Sequence, residues 1–138
     1  MDNLTPPQRS ERMSRVRNKD TGPELLVRRL THALGFRYRL HAASLPGKPD
    51  LVFPSRRKVI FVHGCFWHRH GSRCPLTRWP KSRLEFWRPK LEQNHKRDDM
   101  NRRRLKRLGW QVLVIWECQL GDRKSLAGRL KGFLEVQE

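Results

Sequence analysis

The chain has 138 residues and a formal charge of +18, from 31 Lys and Arg against 13 Asp and Glu. That length suits one domain, and no apolar run approaches a membrane span or forms a secretory signal. Runs such as Val59-Ile60-Phe61-Val62 exclude disorder throughout, and a charge this large points to a polyanionic partner, nucleic acid first.

Residues 1–20 are polar and lack apolar periodicity, which predicts a basic N-terminal arm with a short helix around Pro7 to Arg17. A single domain is expected over 21–138. Thr21 and Glu24 form a capping-box pair, and Leu26, Leu30 and Ala33 give the helix that follows an apolar face. Gly35 ends it. Phe36, Tyr38 and Leu40 alternate with polar residues, the pattern of a half-buried strand ending at His41. Leu45 to Pro49 is a turn. Asp50 to Phe53 reads as a strand, Pro54 to Arg57 as a tight turn, and Lys58 to His63 as a strand buried on both faces.

Gly64 to Pro80 reads as irregular. Ser82 to Leu108 is a predicted helix, with Ser82 and Glu85 as a second capping box and a kink at Pro89. Gly109 stops it. Trp110 to Trp116 is a third core strand. A closing helix runs from Asp122 to Glu135 with Leu126, Leu130, Phe133 and Leu134 on one side. The order predicts an α/β domain with a mixed sheet in two or three layers.

Three cysteines cannot close a disulfide framework. Cys65, His70, Cys74 and Cys118 instead supply a Cys3His donor set of the kind zinc takes in structural sites. His68 competes with His70 for the fourth place. A metal would give the short polar loop stability that it cannot draw from a core of its own.

Six of the twelve aromatic residues fall between Phe61 and Trp87. Phe66, Trp67 and Trp87 lie among basic residues, as groups that stack on or wedge between bases do. Packing of the loop onto the helix is the competing reading. Acids are scarce. Asp50, at a strand edge, is a candidate Mg2+ ligand or a turn aspartate. Glu24 is a candidate acid or only a cap, and Asp98 is a candidate carboxylate or a salt-bridge partner. His63 and His68 are candidate proton acceptors or spare metal ligands.

Pro46-Gly47-Lys48-Pro49-Asp50, followed by His63-Gly64-Cys65-Phe66-Trp67-His68, resembles the very short patch repair endonucleases. So do Glu85-Phe86-Trp87, Lys96-Arg97-Asp98 and Trp116-Glu117-Cys118. The resemblance spans roughly Arg9 to Leu120. It implies a restriction-endonuclease-like fold, a mixed central sheet flanked by helices with a zinc-stabilised loop. It also implies Mg2+-dependent nicking 5′ to the thymine of a T:G mismatch. Asp50 and the Val62 main-chain carbonyl match the Mg2+ ligands. His68 matches the general base, Asp98 the group that orients it, and His63 and Glu24 assisting residues. Cys65, His70, Cys74 and Cys118 match the zinc ligands. Phe66, Trp67 and Trp87 match the aromatics that insert at the mismatch, and Met13 a residue of the arm.

The partners so implied are double-stranded DNA, mismatch-repair proteins and a repair polymerase. A cytoplasmic monomer is expected, with no membrane association. The alternatives are a zinc-stabilised DNA-binding module without catalysis, a restriction-like nuclease of other specificity, and a basic RNA-binding protein.

Overall fold

Thr21 caps the first helix as its residue type predicts: its hydroxyl accepts from the Glu24 N–H at 3.4 Å. The computed structural model describes residues 21–40, 42–71, 74–80 and 82–135. The expected arm, its short helix, Met13 and His41 lie outside the described residues.

Helix α1 spans Gly22–Ala33 and stops before Gly35, whose φ of +95° suits a residue without a Cβ. Its buried line is Glu24, Val27, Arg28 and Thr31. The expected face of Leu26, Leu30 and Ala33 is therefore rotated, and Ala33 is exposed. The reason is that Glu24 and Arg28 are buried together as an ion pair at 3.2 Å. An apolar pattern cannot signal an inward polar pair.

The sheet has four strands in the order β1-β2-β3-β4. Strand β1 is Arg39–Leu40, β2 is Leu51–Phe53, β3 is Lys58–His63 and β4 is Gln111–Trp116. The first three run antiparallel, and β3 and β4 are parallel, so the sheet is mixed. Strand β1 is shorter than the alternation of Phe36 to His41 predicts. Leu40 is exposed, while Phe36 is buried ahead of the strand. All six residues of β3 are buried, which fits a strand covered on both faces.

The gap between β3 and β4 holds more structure than expected. A single helical turn, α2, covers Cys65–His68, and a 3-10 turn covers Pro75–Thr77. Helix α3 then runs Leu84–Arg107. The Ser82 capping box does not form: Arg83 is the N-cap, with no side-chain hydrogen bond. The helix runs unbroken through Pro89, as the expected single helix requires. Helix α4 covers Arg123–Glu135.

Alternation along the strands divides the core in two. Ile60, Val62, Leu51, Phe53 and Ile115 pack with Val27 of α1 and with Leu126, Leu130 and Leu134 of α4. Val52, Val59 and Phe61 pack with Leu105 of α3 and with Trp110. Helices therefore cover both faces, giving three layers. The parallel pairing sets His63 level with Trp116, so the chain leaves β3 and β4 side by side. No helix among the described residues is long and apolar enough to cross a membrane.

Candidate functional site

The β2–β3 ladder ends at the pair Leu51 and Ile60. Just beyond it, the Val62 N–H donates to Asp50 Oδ2 at 2.6 Å, which fixes the carboxylate at the end of the sheet. Glu24 approaches from α1, held by Arg28. Removal from water pushes the Asp50 carboxyl up to about 7. The Val62 hydrogen bond opposes that shift, Glu24 adds to it, and Arg28 opposes it more weakly. Two carboxylates converging in this way favour a proton or a cation between them, and Mg2+ accepts one or two carboxylates while keeping waters. The donor set fits such an ion.

Thirty positions along the chain bring a second pair together. His68, the last residue of α2, lies with Nδ1 2.5 Å from Oδ2 of Asp98 on α3. His95 Nδ1 lies 3.2 Å from the His68 carbonyl oxygen and ties α2 to α3. His63 stacks on His68, with ring centroids 3.9 Å apart and planes at 7°. His63 is buried, and its Nδ1 has no hydrogen-bond partner among the described residues. Burial first, then the charges of His68 and Arg102, drive its pKa down to about 2, so this ring is neutral.

Glu24, Asp50, His63, His68 and Asp98 line one cleft of about 530 Å3. Phe66 and Trp67 line it as well. An imidazole fixed by a carboxylate, opposite a cation-seeking acid pair, is placed to take a proton from water near a bound phosphate.

Behind the cleft, the donor atoms of Cys65, His70, Cys74 and Cys118 all lie within 4.8 Å of one another. Cys65 Sγ is 3.7 Å and Cys118 Sγ 3.3 Å from His70 Nδ1. A tetrahedron with zinc–ligand bonds of 2.0–2.3 Å has edges of roughly 3.3–3.8 Å, so the cluster fits a zinc ion. Burial first, and then the neighbouring sulfurs, push the Cys65 thiol up to about 12. His68 stands with Asp98 instead, and His70 takes the place the two histidines could share. Trp116 stacks on His70, with centroids 4.2 Å apart, and sets its edge against His63 at 5.2 Å.

Residues 1–74 match the family described as DNA mismatch endonuclease Vsr. The chain belongs to the Vsr family. It is 51% identical over 134 residues to the type II nicking enzyme V.XorIIP of Xanthomonas oryzae pv. oryzae, covering 97% of each chain. It is 44% identical over 118 residues to the DNA mismatch endonuclease Vsr of Escherichia coli, covering 86% of this chain and 74% of the relative. It is 40% identical over 129 residues to the type II nicking enzyme V.NmeAIP of Neisseria meningitidis, covering 94% and 91%.

In this Vsr-family chain the three aromatics singled out in the sequence are not equivalent. Phe66 and Trp67 are half-buried, whereas Trp87 is 8% exposed and backs both. Its ring centroid lies 6.1 Å from that of Phe66 and 5.9 Å from that of Trp67. Trp87 thus supports the pair from below rather than facing the cleft. The reason is its place on the inward side of α3, beside buried Leu91. Lys48, Asn94, Arg97 and Glu117 also line the cleft; the sequence motifs include Lys48, Arg97 and Glu117 but gave none of the four a site role. Asn94, Arg97 and Asp98 fall on neighbouring turns of one helix face, a spacing that could have signalled them.

Proposed function

We propose that this chain is a Mg2+-dependent DNA nickase that cuts 5′ to the thymine of a T:G mismatch. The observation that carries the reading is one cleft holding both the Asp50–Glu24 acids and the His63–His68–Asp98 group. Asp50 and the Val62 carbonyl would hold Mg2+, with Glu24 assisting. When bound, the ion supplies Lewis-acid polarisation of the scissile phosphate and stabilises charge on the leaving oxygen.

The remaining roles fall to the chain's own groups. His68 accepts a proton from the attacking water at Nε2, because Asp98 occupies Nδ1 and fixes the tautomer. His63 keeps the His68 ring in place by stacking and stays neutral beside it. The products are a 3′-hydroxyl and a 5′-phosphate. Cys65, His70, Cys74 and Cys118 would hold structural zinc, tying α2 to the turn after β4 and so presenting Phe66 and Trp67.

Those two rings enter beside the mismatch, with Trp87 beneath them. A T:G wobble stacks less well than a matched pair, and unstacking costs about a few kcal/mol per step. A saving of 1.4 kcal/mol is already tenfold in preference. Basic residues of α3 track the backbone: eleven basic and four acidic residues lie between Lys81 and Arg107. Such contacts give affinity without sequence readout.

The remaining parts of this reading are a restriction-endonuclease-like single domain over 21–138, an arm over 1–20 that carries Met13 to the minor groove, and a monomer in the cytoplasm. A repair polymerase and mismatch-repair proteins would act on the nick. The test is incubation of end-labelled duplexes, matched or with one T:G pair, in Mg2+ or without it. A single nick on the thymine strand, in the mismatched duplex with Mg2+ only, supports the reading. Equal cutting of both duplexes refutes the specificity, and no cutting refutes the activity.

A further inference from the structure

Lys48 stands on the Asp50 side of the cleft, and the chemistry above does not use it. It is one of four non-glycine residues with positive φ among the described residues, with Arg57, Arg69 and Arg83. In the other three the cation has a partner. The Arg57 guanidinium is 4.5 Å from the Trp110 centroid and donates to the Leu108 carbonyl at 2.8 Å. Arg69 lies 4.0 Å over Trp79, and Arg83 lies 4.7 Å over Phe86. The Lys48 ammonium makes no hydrogen bond or ion pair with the described residues.

Its backbone is costly to hold. A φ of 50° is disfavoured for any side chain with a Cβ, and Pro49 follows directly, which restricts the preceding residue further. Gly47 also has positive φ, at 77°. Two successive positive φ values favour asparagine and glycine, yet lysine holds the second place. The turn is wedged. A Cβ on Gly47 would sit 3.0 Å from Asn101 Cβ on α3 and 3.2 Å from Phe61 Cε1 on β3. The Lys48 N–H is tied to the Leu45 carbonyl at 3.1 Å, and Pro49 is buried. A strained turn persists where its surroundings over-determine it, and such turns gather at ligand sites.

The charge of the cleft says what the ligand is. Asp50 and Glu24 present carboxylates on this wall and repel an approaching phosphate. Lys48 and Arg97 are the lysine and arginine that line the cleft, and Lys48 is the one beside Asp50 in the chain. Two residues span at most about 7 Å of extended chain. Lys48 and Asp50 are therefore close enough for the lysine to reach a phosphate next to one seated over Asp50.

We propose that Lys48 binds a phosphate of the nicked strand flanking the scissile one, and so seats the scissile phosphate over Asp50. This assignment rests on the nicking activity proposed above. The decisive variants are Lys48→Gly, which removes the cation and suits the positive φ, and Lys48→Arg, which keeps the charge. Single-turnover nicking of a T:G duplex is measured with saturating protein and Mg2+. The duplex is either unmodified or carries a neutral methylphosphonate at one flanking phosphate, each flank in turn.

Lys48→Gly should fold and slow nicking by about 10- to 100-fold, while Lys48→Arg stays within about threefold of the original chain. At one flank the methylphosphonate should bring the original chain down to the Lys48→Gly rate and leave Lys48→Gly no slower. Nicking by Lys48→Gly at the original rate overturns the proposal. So does an equal slowing of both proteins by the methylphosphonate at both flanks. If the original chain fails to nick the unmodified T:G duplex, the activity itself is refuted and the Lys48 role falls with it.

Discussion

His68 Nδ1 and Asp98 Oδ2 lie 2.5 Å apart, joining the end of α2 to the middle of α3. The contact leaves one imidazole nitrogen for water and settles which nitrogen that is. Asp98→Asn keeps the shape and loses the charge. It should lower the single-turnover nicking rate by about 10²–10⁴-fold, the range for general-base catalysis, with DNA affinity little changed. A variant that loses affinity but keeps its rate would assign Asp98 to binding instead.

Asp50 links activity to stability with opposite signs. Its carboxyl is raised from 3.8 to about 7, so the folded chain binds a proton that the unfolded chain has released. Between those two values stability falls as pH rises, because the native state must give up that proton. Without added Mg2+, Asp50→Asn should therefore be more stable than the original chain at pH 8, by on the order of 1–3 kcal/mol. The gain should vanish near pH 4. Mg2+ should raise the melting temperature of the original chain and leave that of Asp50→Asn unmoved. Equal melting temperatures at pH 8 would contradict the buried acid pair.

His63 predicts the acid limb. Its pKa falls from 6.5 to about 2, so stability is full above 6.5 and is lost as pH drops toward 2. His63→Gln should flatten that part of the stability curve relative to the original chain, measured in denaturant at pH 7 and pH 5. An unchanged slope would show that His63 takes up a proton in the folded state.

The cysteine cluster should bind zinc with folding energy. Cys118→Ala, or removal of metal by a strong chelator, should lower the melting temperature by more than about 10 °C. Cobalt in place of zinc should give the absorption of a tetrahedral thiolate site. Because thiolates bind the metal, retention should weaken as pH falls. A protein that contains no zinc and melts unchanged after chelation would contradict the site.

Trp87 and Trp67 should separate by what they lose. Trp87 is buried, so Trp87→Ala should cost about 3–5 kcal/mol of stability. Trp67 is half-buried at the cleft, so Trp67→Ala should cost less stability and more preference for the T:G duplex over the matched one. Full mismatch preference in Trp67→Ala would remove it from the wedge.

Strong local signals made much of the fold legible. The unbroken apolar run of β3 marks a strand covered on both faces, and the structure buries all six of its residues. Thr21 and Gly35 bracket α1 as their chemistry requires. The Cys-His spacing and the His63 to His68 segment singled out residues that the fold then brings together from β3, α2, α3 and the turn after β4. The failures share a cause. The inward face of α1 carries Glu24 and Arg28, so the apolar pattern caught Leu30 at the edge of the core and missed the centre of the buried line. Arg83 takes the cap that Ser82 was expected to provide, in a left-handed conformation that pairs its guanidinium with Phe86. Trp87 shares its aromatic, basic setting with Phe66 and Trp67, and only packing shows that it lies beneath them. Lys48 belongs to the Pro46 to Asp50 motif, but its positive φ shows only in the structure.

Nicking of a T:G duplex by the original chain and by Asp50→Ala, side by side in Mg2+, tests the central claim most directly. One nick 5′ to the mismatched thymine, lost by at least about 10³-fold in Asp50→Ala with zinc content and melting temperature retained, is the predicted result. Nicking by Asp50→Ala at the rate of the original chain would contradict it.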